Sequence, residues 1–482
     1  MQKKFLTNLG FLILVNLLIK PFYILGIDAE VQNVVGAEDY GNYFAIFNFS
    51  FLFNILNDLG ITNFNNRNIS QHRHLLEKHF PRILVLRFFL LGIYGLITLL
   101  SGLFIGYTKT QLIMLAFLTV NQGLVASIFY LRSNLAGLHL FKQDSIISVL
   151  DRALLIVFCG VLLWTNVSDS VFRIEWFVYA QTLAYALTFI VAFVLVKRNI
   201  DNMRFKIDIP FWLSIIRQSV PFAILILLMS LYHRMDTVIL ERLVEEGDVQ
   251  SGIFAQGFRF LDALNNFSFL FAVLLFPIFS RMLKEGEDLR DLLDLSTRIL
   301  LSGVGTIAIT CYFFRVDIMD WRYATNVDMA AKCFGLLILT AVCHSTVHIF
   351  GTLLTSAGRL KTLNILSAFA VLMSLGLNLW LAPKLLAYGS TLANLSTNLM
   401  VAIVHIIIVQ RLFGFSISLS VLARFVVLFG ALVAVGGFAH FFPGGWFLNA
   451  SLMAGIGLGL ALILKLIDIK GLLGILKQRE TR

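Results

Sequence analysis

Long apolar segments recur along the whole chain and are separated by short polar connections. Each segment is close to 20 residues, which is about the length that crosses a bilayer as an α-helix. The strict alternation of a membrane β-barrel is absent, so helices are expected throughout. Fourteen spans are predicted, at residues 5–27, 41–62, 83–106, 111–131, 145–165, 175–196, 213–240, 252–279, 295–314, 333–355, 362–382, 389–410, 419–440 and 446–467. The first lacks a small-residue cleavage site and is therefore expected to be a structural helix rather than a removable signal peptide.

Composition and charge agree with a polytopic membrane protein. The 482 residues are 58% hydrophobic and 14% charged, with a mean hydropathy of +0.85, whereas soluble proteins are about 45–50% apolar and about 25% charged. About 23 lysines and arginines lie in connections on the side of the N-terminus, against about 7 on the other side. The positive-inside rule therefore predicts that both termini are cytoplasmic. This topology accounts for the net charge of +10 without nucleic-acid binding.

An internal repeat divides the spans into two sets. The segment "VVGAEDYGNYFA" at 34–45 and the segment "LVEEGDVQSGIFA" at 243–255 each contain an acidic turn and then a Gly-x-aromatic step, at Gly41 and at Gly252. Both copies begin on the same side of the membrane, which indicates a parallel duplication. The predicted domains are an N-terminal lobe at 1–206 (spans 1 to 6), a C-terminal lobe at 207–412 (spans 7 to 12), and two additional helices with a cytoplasmic tail at 413–482.

Polar side chains inside the spans are the functional candidates, because charge in hydrocarbon is costly and usually faces a cavity or a partner. They concentrate in spans 1, 2, 7 and 8, which are homologous pairs of the two lobes. In span 2, Asn54 and Asp58 are four residues apart and are expected to share a helical face. In span 7, Arg234 and Asp236 are about 200° apart around a helix, so they cannot pair with each other.

Structural roles remain open for several of these residues. Lys20 and Arg87 lie where their side chains can snorkel to the membrane surface, and this is the role expected for Arg87. The adjacent Asp151 and Arg152 of span 5 can tie helices together, and the asparagines of span 2 can hydrogen-bond neighbouring helices. The arginines of spans 7 and 8 also have aspartates available as structural partners.

Motifs for catalysis or metal binding are absent. The histidines at 72 and 74 point in different directions from a basic loop and lack completing ligands. The chain has no Walker A, HExxH or GxSxG sequence. Its four cysteines lie in or beside apolar spans without CxxC spacing. We therefore expect no enzymatic activity, no catalytic residue, no metal site and no cofactor, while a coupling proton or sodium ion stays open.

Three segments carry a resemblance to a known family. They begin "VVGAEDYGNYFAIFNFSF" at 34, "YHRMDTVILERLVEEGD" at 232 and "TSAGRLKTLNILSAFAV" at 355. Together they resemble signature regions of polysaccharide transporter family flippases, which include O-antigen flippases and belong to the multidrug/oligosaccharidyl-lipid/polysaccharide exporter superfamily. The resemblance implies an all-α fold of two six-helix lobes in a V around a central cavity, followed by two C-terminal helices. It also implies that spans 1, 2, 7 and 8 line the cavity.

The same resemblance implies a substrate and roles for residues. The substrate would be an undecaprenyl-pyrophosphate-linked oligosaccharide, moved across the bacterial inner membrane by alternating access, for export of O-antigen, capsule or a similar polysaccharide. Membrane lipids and other polysaccharide assembly proteins are the expected partners. Arginine forks match phosphate oxygens, and amides suit sugar hydroxyls. The predicted substrate-binding residues are Lys20, Arg234 and Arg259 for the anionic headgroup and Asn16, Asn54, Asn57, Gln256 and Asn266 for the glycan. Candidates for ion pairing or coupling are Asp58, Asp236 and Asp262.

Two other functions remain as alternatives. A cation-coupled multidrug exporter of the same superfamily would favour carboxylates in its cavity, whereas lysine and arginine predominate here. An integral membrane glycosyltransferase or polymerase would carry a sizeable loop outside the membrane. The longest outer connection, at 315–332, has fewer than about 20 residues.

Overall fold

The structure, a computed structural model, is a succession of α-helices. It describes residues 15–467 except 17, 63–64, 66–74, 139, 166–171, 201–205, 415–417 and 440–443. The predicted basic loop with its two histidines and the cytoplasmic tail at 468–482 lie outside the described residues. The α-helices are α1 Ala29–Leu52, α2 Leu75–Ile105, α3 Lys109–Gly137, α4 Phe141–Trp164, α5 Ile174–Lys197, α6 Ile209–Leu243, α7 Gly247–Glu285, α8 Arg290–Phe313, α9 Arg315–Arg322, α10 Val327–Ser356, α11 Leu360–Phe413, α12 Leu419–Phe438 and α13 Trp446–Ile463.

Eleven helices in the described part of the chain are long and apolar enough to cross a membrane. They cover predicted spans 3 to 14, because α11 contains both span 11 and span 12. The chain turns back within α11 at Leu386, which has a φ of 57° and a ψ of −139°. The turn is tight, since a Cβ on Gly389 would overlap the Leu381 carbonyl oxygen. One continuous helical stretch therefore carries two predicted spans.

Residues 5–14 and 17 of the first predicted span lie outside the described residues, and the described parts of the first two predicted spans form less regular structure than expected. A π-helical turn at Tyr23–Asp28 leads directly into α1, and Gly36 interrupts α1 with a φ of 88° that a glycine adopts readily. The regular helix ends at Leu52 and is followed by a 3₁₀ turn at Asn54–Asn57. Asn54 and Asp58 therefore do not share an α-helical face, contrary to the prediction.

The chain divides into two compact units. Unit 1 contains Met1–Arg242 and Glu246–Gly252, and unit 2 contains Leu243–Glu245 and Ile253–Arg482. The predicted lobes, with their boundary at residue 206, were defined by the sequence repeat and remain a prediction.

In unit 1, α3 packs against α1, α2, α4 and α5, and the π-helical turn packs against α4. The two repeat copies also meet inside this unit. A Cβ on Gly41 would overlap the Asp248 carbonyl oxygen, and a Cβ on Gly252 would overlap the Ala37 carbonyl oxygen. Gln32 donates a hydrogen bond of 2.9 Å to the Gly252 carbonyl oxygen. The two glycines of the repeat thus allow α1 and the first turn of α7 to touch backbone to backbone.

In unit 2, α10 packs against α8, α9 and α11, while α12 and α13 pack against α8 and against each other. Phe314, Leu428, Leu432 and Met453 belong to the apolar cluster between these last helices. Large apolar side chains elsewhere on the described helices are exposed, as at Phe104 with 90%. Such apolar exterior surface is what a bilayer solvates.

Candidate functional site

Three cations lie close together in unit 1. They are Lys20, Arg132 and Arg152, and together they form the cationic cluster. Lys20 lies between Asn16, which bonds to Ser148 one turn before Arg152, and Tyr23, whose ring contacts the Arg152 guanidinium. These two contacts place Lys20 beside Arg152. Arg132 is paired with Asp144 at 2.7 Å. The Arg152 guanidinium approaches Asp151 only to 3.8 Å, so Lys20 and Arg152 are neighbouring cations that an anionic ligand would stabilise.

Arg152 is the most firmly positioned member of the cluster. Its guanidinium donates a hydrogen bond of 2.8 Å to the Tyr185 hydroxyl. It also lies over two aromatic rings, 4.8 Å from the centre of Tyr23 and 5.6 Å from the centre of Tyr185. The π-helical turn places Tyr23 beneath it, and such turns often mark functional sites. Arg152 is thereby held by aromatic contacts while 27% of its side chain stays accessible.

Asn16 anchors the first helical segment to α4. Its side-chain amide donates a hydrogen bond of 3.0 Å to the Ser148 hydroxyl, and both residues are buried. Ser148 lies one helical turn before Arg152. Asn16, which was predicted to bind glycan, thus has a protein partner next to the cationic cluster.

A second polar group in unit 1 surrounds Arg234. Its guanidinium donates a hydrogen bond of 3.2 Å to the Asn48 side chain and lies 4.9 Å from the centre of the Phe51 ring. Asn48 in turn donates to the Thr237 hydroxyl at 3.0 Å. Asp236, on another face of α6, is 1% exposed. Asn48 was not predicted as a site residue because it lies within a phenylalanine-rich segment.

Asp58 lies in a buried network with Arg87 of α2. The two side chains are 2.5 Å apart, and 3% of the arginine side chain is exposed. Asp58 also accepts hydrogen bonds from the backbone amide and hydroxyl of Thr62. Arg87 donates to the Ala126 carbonyl oxygen at 2.7 Å and lies 5.0 Å from the centre of the Tyr130 ring. The expectation that Arg87 snorkels to the headgroups is therefore wrong, because the arginine points into the protein towards a carboxylate.

The asparagines of span 2 bond to each other. The Asn57 amide donates to the Asn54 side-chain oxygen at 2.9 Å, across the 3₁₀ turn. Asn57 is 3% exposed, whereas Asn54 is half-buried. Asn54 is thus the more accessible of the two for a ligand.

In unit 2, Gln256 and Arg259 of α7 meet at one tyrosine. Arg259, which is 3% exposed, donates a hydrogen bond of 3.0 Å to the Tyr323 hydroxyl. That hydroxyl donates to the Gln256 backbone oxygen at 3.4 Å, and the Gln256 side chain donates to the Thr325 backbone oxygen at 3.4 Å. Tyr323, which follows α9, was not predicted because nothing in the local sequence connects it to α7.

The remaining predicted residues of α7 lie further along the helix. Asn266 is exposed and donates a hydrogen bond of 2.8 Å to the Asp262 backbone oxygen. Asp262 is half-buried. The predicted polar stripe thus divides into a buried part at Gln256 and Arg259 and a more exposed part at Asp262 and Asn266.

Two histidines one turn apart on α10, the buried His344 and the half-buried His348, were also not predicted. The His348 ring lies 2.8 Å from the Asn265 side-chain oxygen, and His344, one turn earlier on the same face, is 7% exposed. The two histidines stand in an apolar span without a nearby carboxylate, so they gave no signal of a site. No group of three or more metal-ligating side chains occurs among the described residues.

Comparison with solved structures defines the fold. The chain is similar to the lipid II flippase MurJ in an inward closed conformation, with a TM-score of 0.68, 13% identity, and coverage of 96% of this chain and 100% of that one. It is similar to the eukaryotic MATE transporter AtDTX14, with a TM-score of 0.60, 14% identity, and coverage of 95% and 99%. It is also similar to an inward-facing multidrug resistance MATE transporter of the MOP (multidrug/oligosaccharidyl-lipid/polysaccharide exporter) superfamily. The TM-score is 0.61 at 15% identity, with coverage of 82% of this chain and 96% of that one. The predicted all-α polytopic class is confirmed, and the fold is that of MOP superfamily transporters.

The family follows from the sequence match. Residues 5–283 match the polysaccharide biosynthesis protein family. No curated protein matches the chain. The chain belongs to the polysaccharide biosynthesis protein family and is a multi-pass membrane protein.

Proposed function

We propose that the protein flips a polyprenyl-pyrophosphate-linked oligosaccharide across the bacterial inner membrane. The observation that carries the proposal is the cationic cluster in a membrane-spanning unit, where the Asn16–Ser148 hydrogen bond and the contact of Tyr23 with Arg152 place Lys20 beside Arg152. A pyrophosphate brings negative charge to such a site, and ammonium and guanidinium groups replace its lost hydration. Family membership and the likeness of the fold to a lipid II flippase support the same class of substrate.

Residue roles in this proposal follow the predicted set. Lys20, Arg234 and Arg259 bind the anionic headgroup, and the accessible amides of Asn54 and Asn266 bind sugar hydroxyls. Arg259 and the amides of Asn16, Asn57 and Gln256 are buried, so they reach the substrate only after the helices around them rearrange. The two lobes alternate access to the two sides, with both termini in the cytoplasm. No covalent bond is made or broken in the transport step.

Deletion of the gene tests the proposal directly. Lipid-linked repeat units are expected to accumulate on the cytoplasmic leaflet, as measured by their accessibility to a membrane-impermeant glycan-labelling reagent in sealed vesicles of known orientation. Complementation with the intact gene should remove the accumulation. Unchanged glycan export, together with drug sensitivity that the gene reverses, would overturn the flippase in favour of a multidrug exporter.

Three point variants test the headgroup role separately. Arg234→Ala and Arg259→Ala are expected to reduce export, and Arg234→Lys is expected to retain part of it because charge remains but the bidentate fork is lost. Protein levels in the membrane are compared by immunoblot. Full export by all three variants at normal levels would show that these arginines do not bind the headgroup.

A further inference from the structure

The contacts of Arg152 differ from those expected of an arginine that only pairs with a carboxylate to hold two helices together. A structural arginine in a membrane protein is typically neutralised by a well-aligned carboxylate. The nearest approach to Asp151 is instead 3.8 Å, and the Asp151 side chain accepts its hydrogen bond of 2.8 Å from the Arg152 backbone amide. The guanidinium is oriented by Tyr23 and Tyr185. Tyrosine rings hold a cation in place without cancelling its charge.

Lys20 supplies a second cation to the same place. It lies one turn before Tyr23, whose ring contacts Arg152, and one turn after Asn16, which bonds to Ser148 on the helix of Arg152. Both side chains keep partial exposure. Two neighbouring cations on different helices repel each other, and the repulsion disappears when a group with at least two negative charges lies between them.

We propose that Lys20 and Arg152 form a two-cation clamp for the pyrophosphate group of the substrate, with Tyr23 and Tyr185 as positioning residues for Arg152. This inference rests on the proposed function and adds Arg152, on α4, to the residues that bind the headgroup. Asp151 competes with the ligand for Arg152, so it weakens binding rather than supporting it. A tie between helices would give Asp151 the opposite role.

Binding of farnesyl pyrophosphate to the full-length protein in nanodiscs provides the test, measured by isothermal titration. Lys20→Gln and Arg152→Gln are each expected to weaken binding at least about tenfold, because each removes a charge-assisted contact. Asp151→Asn is expected to tighten binding by about threefold or more, since the competing carboxylate is lost. Lys142→Gln, which removes an exposed cation from the same helix, is the matched control and should bind as the unaltered protein does.

Further measurements distinguish a site that binds the pyrophosphate anion from a site that binds the isoprenoid chain of the ligand. Inorganic pyrophosphate should compete with farnesyl pyrophosphate in the unaltered protein, and farnesol should bind much more weakly. Equal binding of farnesol, absence of competition, or weaker binding by Asp151→Asn would each overturn the clamp. Thermal unfolding midpoints of all variants identify any that fail to fold, and Asp151→Asn keeps the test decisive because it predicts a gain.

Failure of the clamp can be told apart from failure of the proposed function. If the deletion strain accumulates lipid-linked repeat units but Arg152→Gln binds and exports normally, only the clamp is wrong. If the deletion strain accumulates none, the flippase function is wrong whatever Arg152 binds.

Discussion

Replacing Asp58 with asparagine removes the carboxylate that faces a buried arginine. Arg87 is 3% exposed in its side chain, so its charge would remain in the interior without an ionised partner. Breaking a buried ion pair in this way costs about 3–5 kcal/mol. Asp58 itself is 24% exposed, so part of its interaction is already screened by solvent. We therefore expect Asp58→Asn to lower the free energy of unfolding by about 3 kcal/mol, the lower end of that range.

Replacing the arginine of the pair should lower the free energy of unfolding by less. Arg87→Met leaves a carboxylate that keeps its hydrogen bonds to Thr62 and has some contact with solvent. We expect a loss of about 2 kcal/mol, which also includes the contact with the Tyr130 ring. The double variant carries no unpaired charge. It should be no less stable than Arg87→Met alone, because the cost of each single change lies in the charge that it strands.

The free energy of unfolding is measured by titrating the purified protein from mild detergent into SDS. Glu285→Gln, which removes an exposed ion pair with Arg281, is the control and should cost about 0.5 kcal/mol or less. Additive losses in the double variant would refute the reasoning, since they would show that the two side chains are not coupled. Glycan export by the double variant is measured as well. A stable double variant that does not export would show that transport needs the Asp58–Arg87 pair.

Two further predictions concern a close contact between helices and a buried hydrogen bond. Gly41→Ala should separate α1 from the first turn of α7, because its Cβ would overlap the Asp248 carbonyl oxygen. We therefore expect a lower midpoint of thermal unfolding. Gly376→Ala is the control, because the space around its Cβ is open, and it should keep the original midpoint. An unchanged midpoint for Gly41→Ala would contradict this close contact. Tyr323→Phe should cost about 1–2 kcal/mol, because the buried Arg259 loses its 3.0 Å acceptor, and SDS titration would detect it; an unaltered stability would show that this hydrogen bond contributes nothing.

Much of the fold could be predicted because span formation is a local property. The predicted span at 145–165 corresponds to α4, Phe141–Trp164, and the predicted span at 175–196 corresponds to α5, Ile174–Lys197. An apolar window of about 20 residues is stable as a helix in lipid whatever its neighbours are. The prediction was poorest around Leu52, where the α-helix gives way to a 3₁₀ turn inside a predicted span.

The site was less predictable, because partners on different helices leave no local signal. The sequence marked Arg152 as an unusual charge in a span, and its neighbour Asp151 suggested an ion pair. In the structure the two side chains approach only to 3.8 Å. Tyr23 and Tyr185, which contact the guanidinium, are separated from it by more than a hundred and by about thirty residues. Their roles depend on how two other helices are rotated.

The sequence by itself determined the membrane class, most of the spans and the residues whose charge needs an explanation. Each of these follows from the free energy of transferring a side chain into hydrocarbon, which depends on residue type and on position along one helix. Only the tertiary structure decided that Arg87 pairs with Asp58, that Arg259 bonds to Tyr323, and that Lys20 lies beside Arg152. Those contacts depend on helix rotation and packing, where a turn of about 100° per residue brings a side chain to a different neighbour.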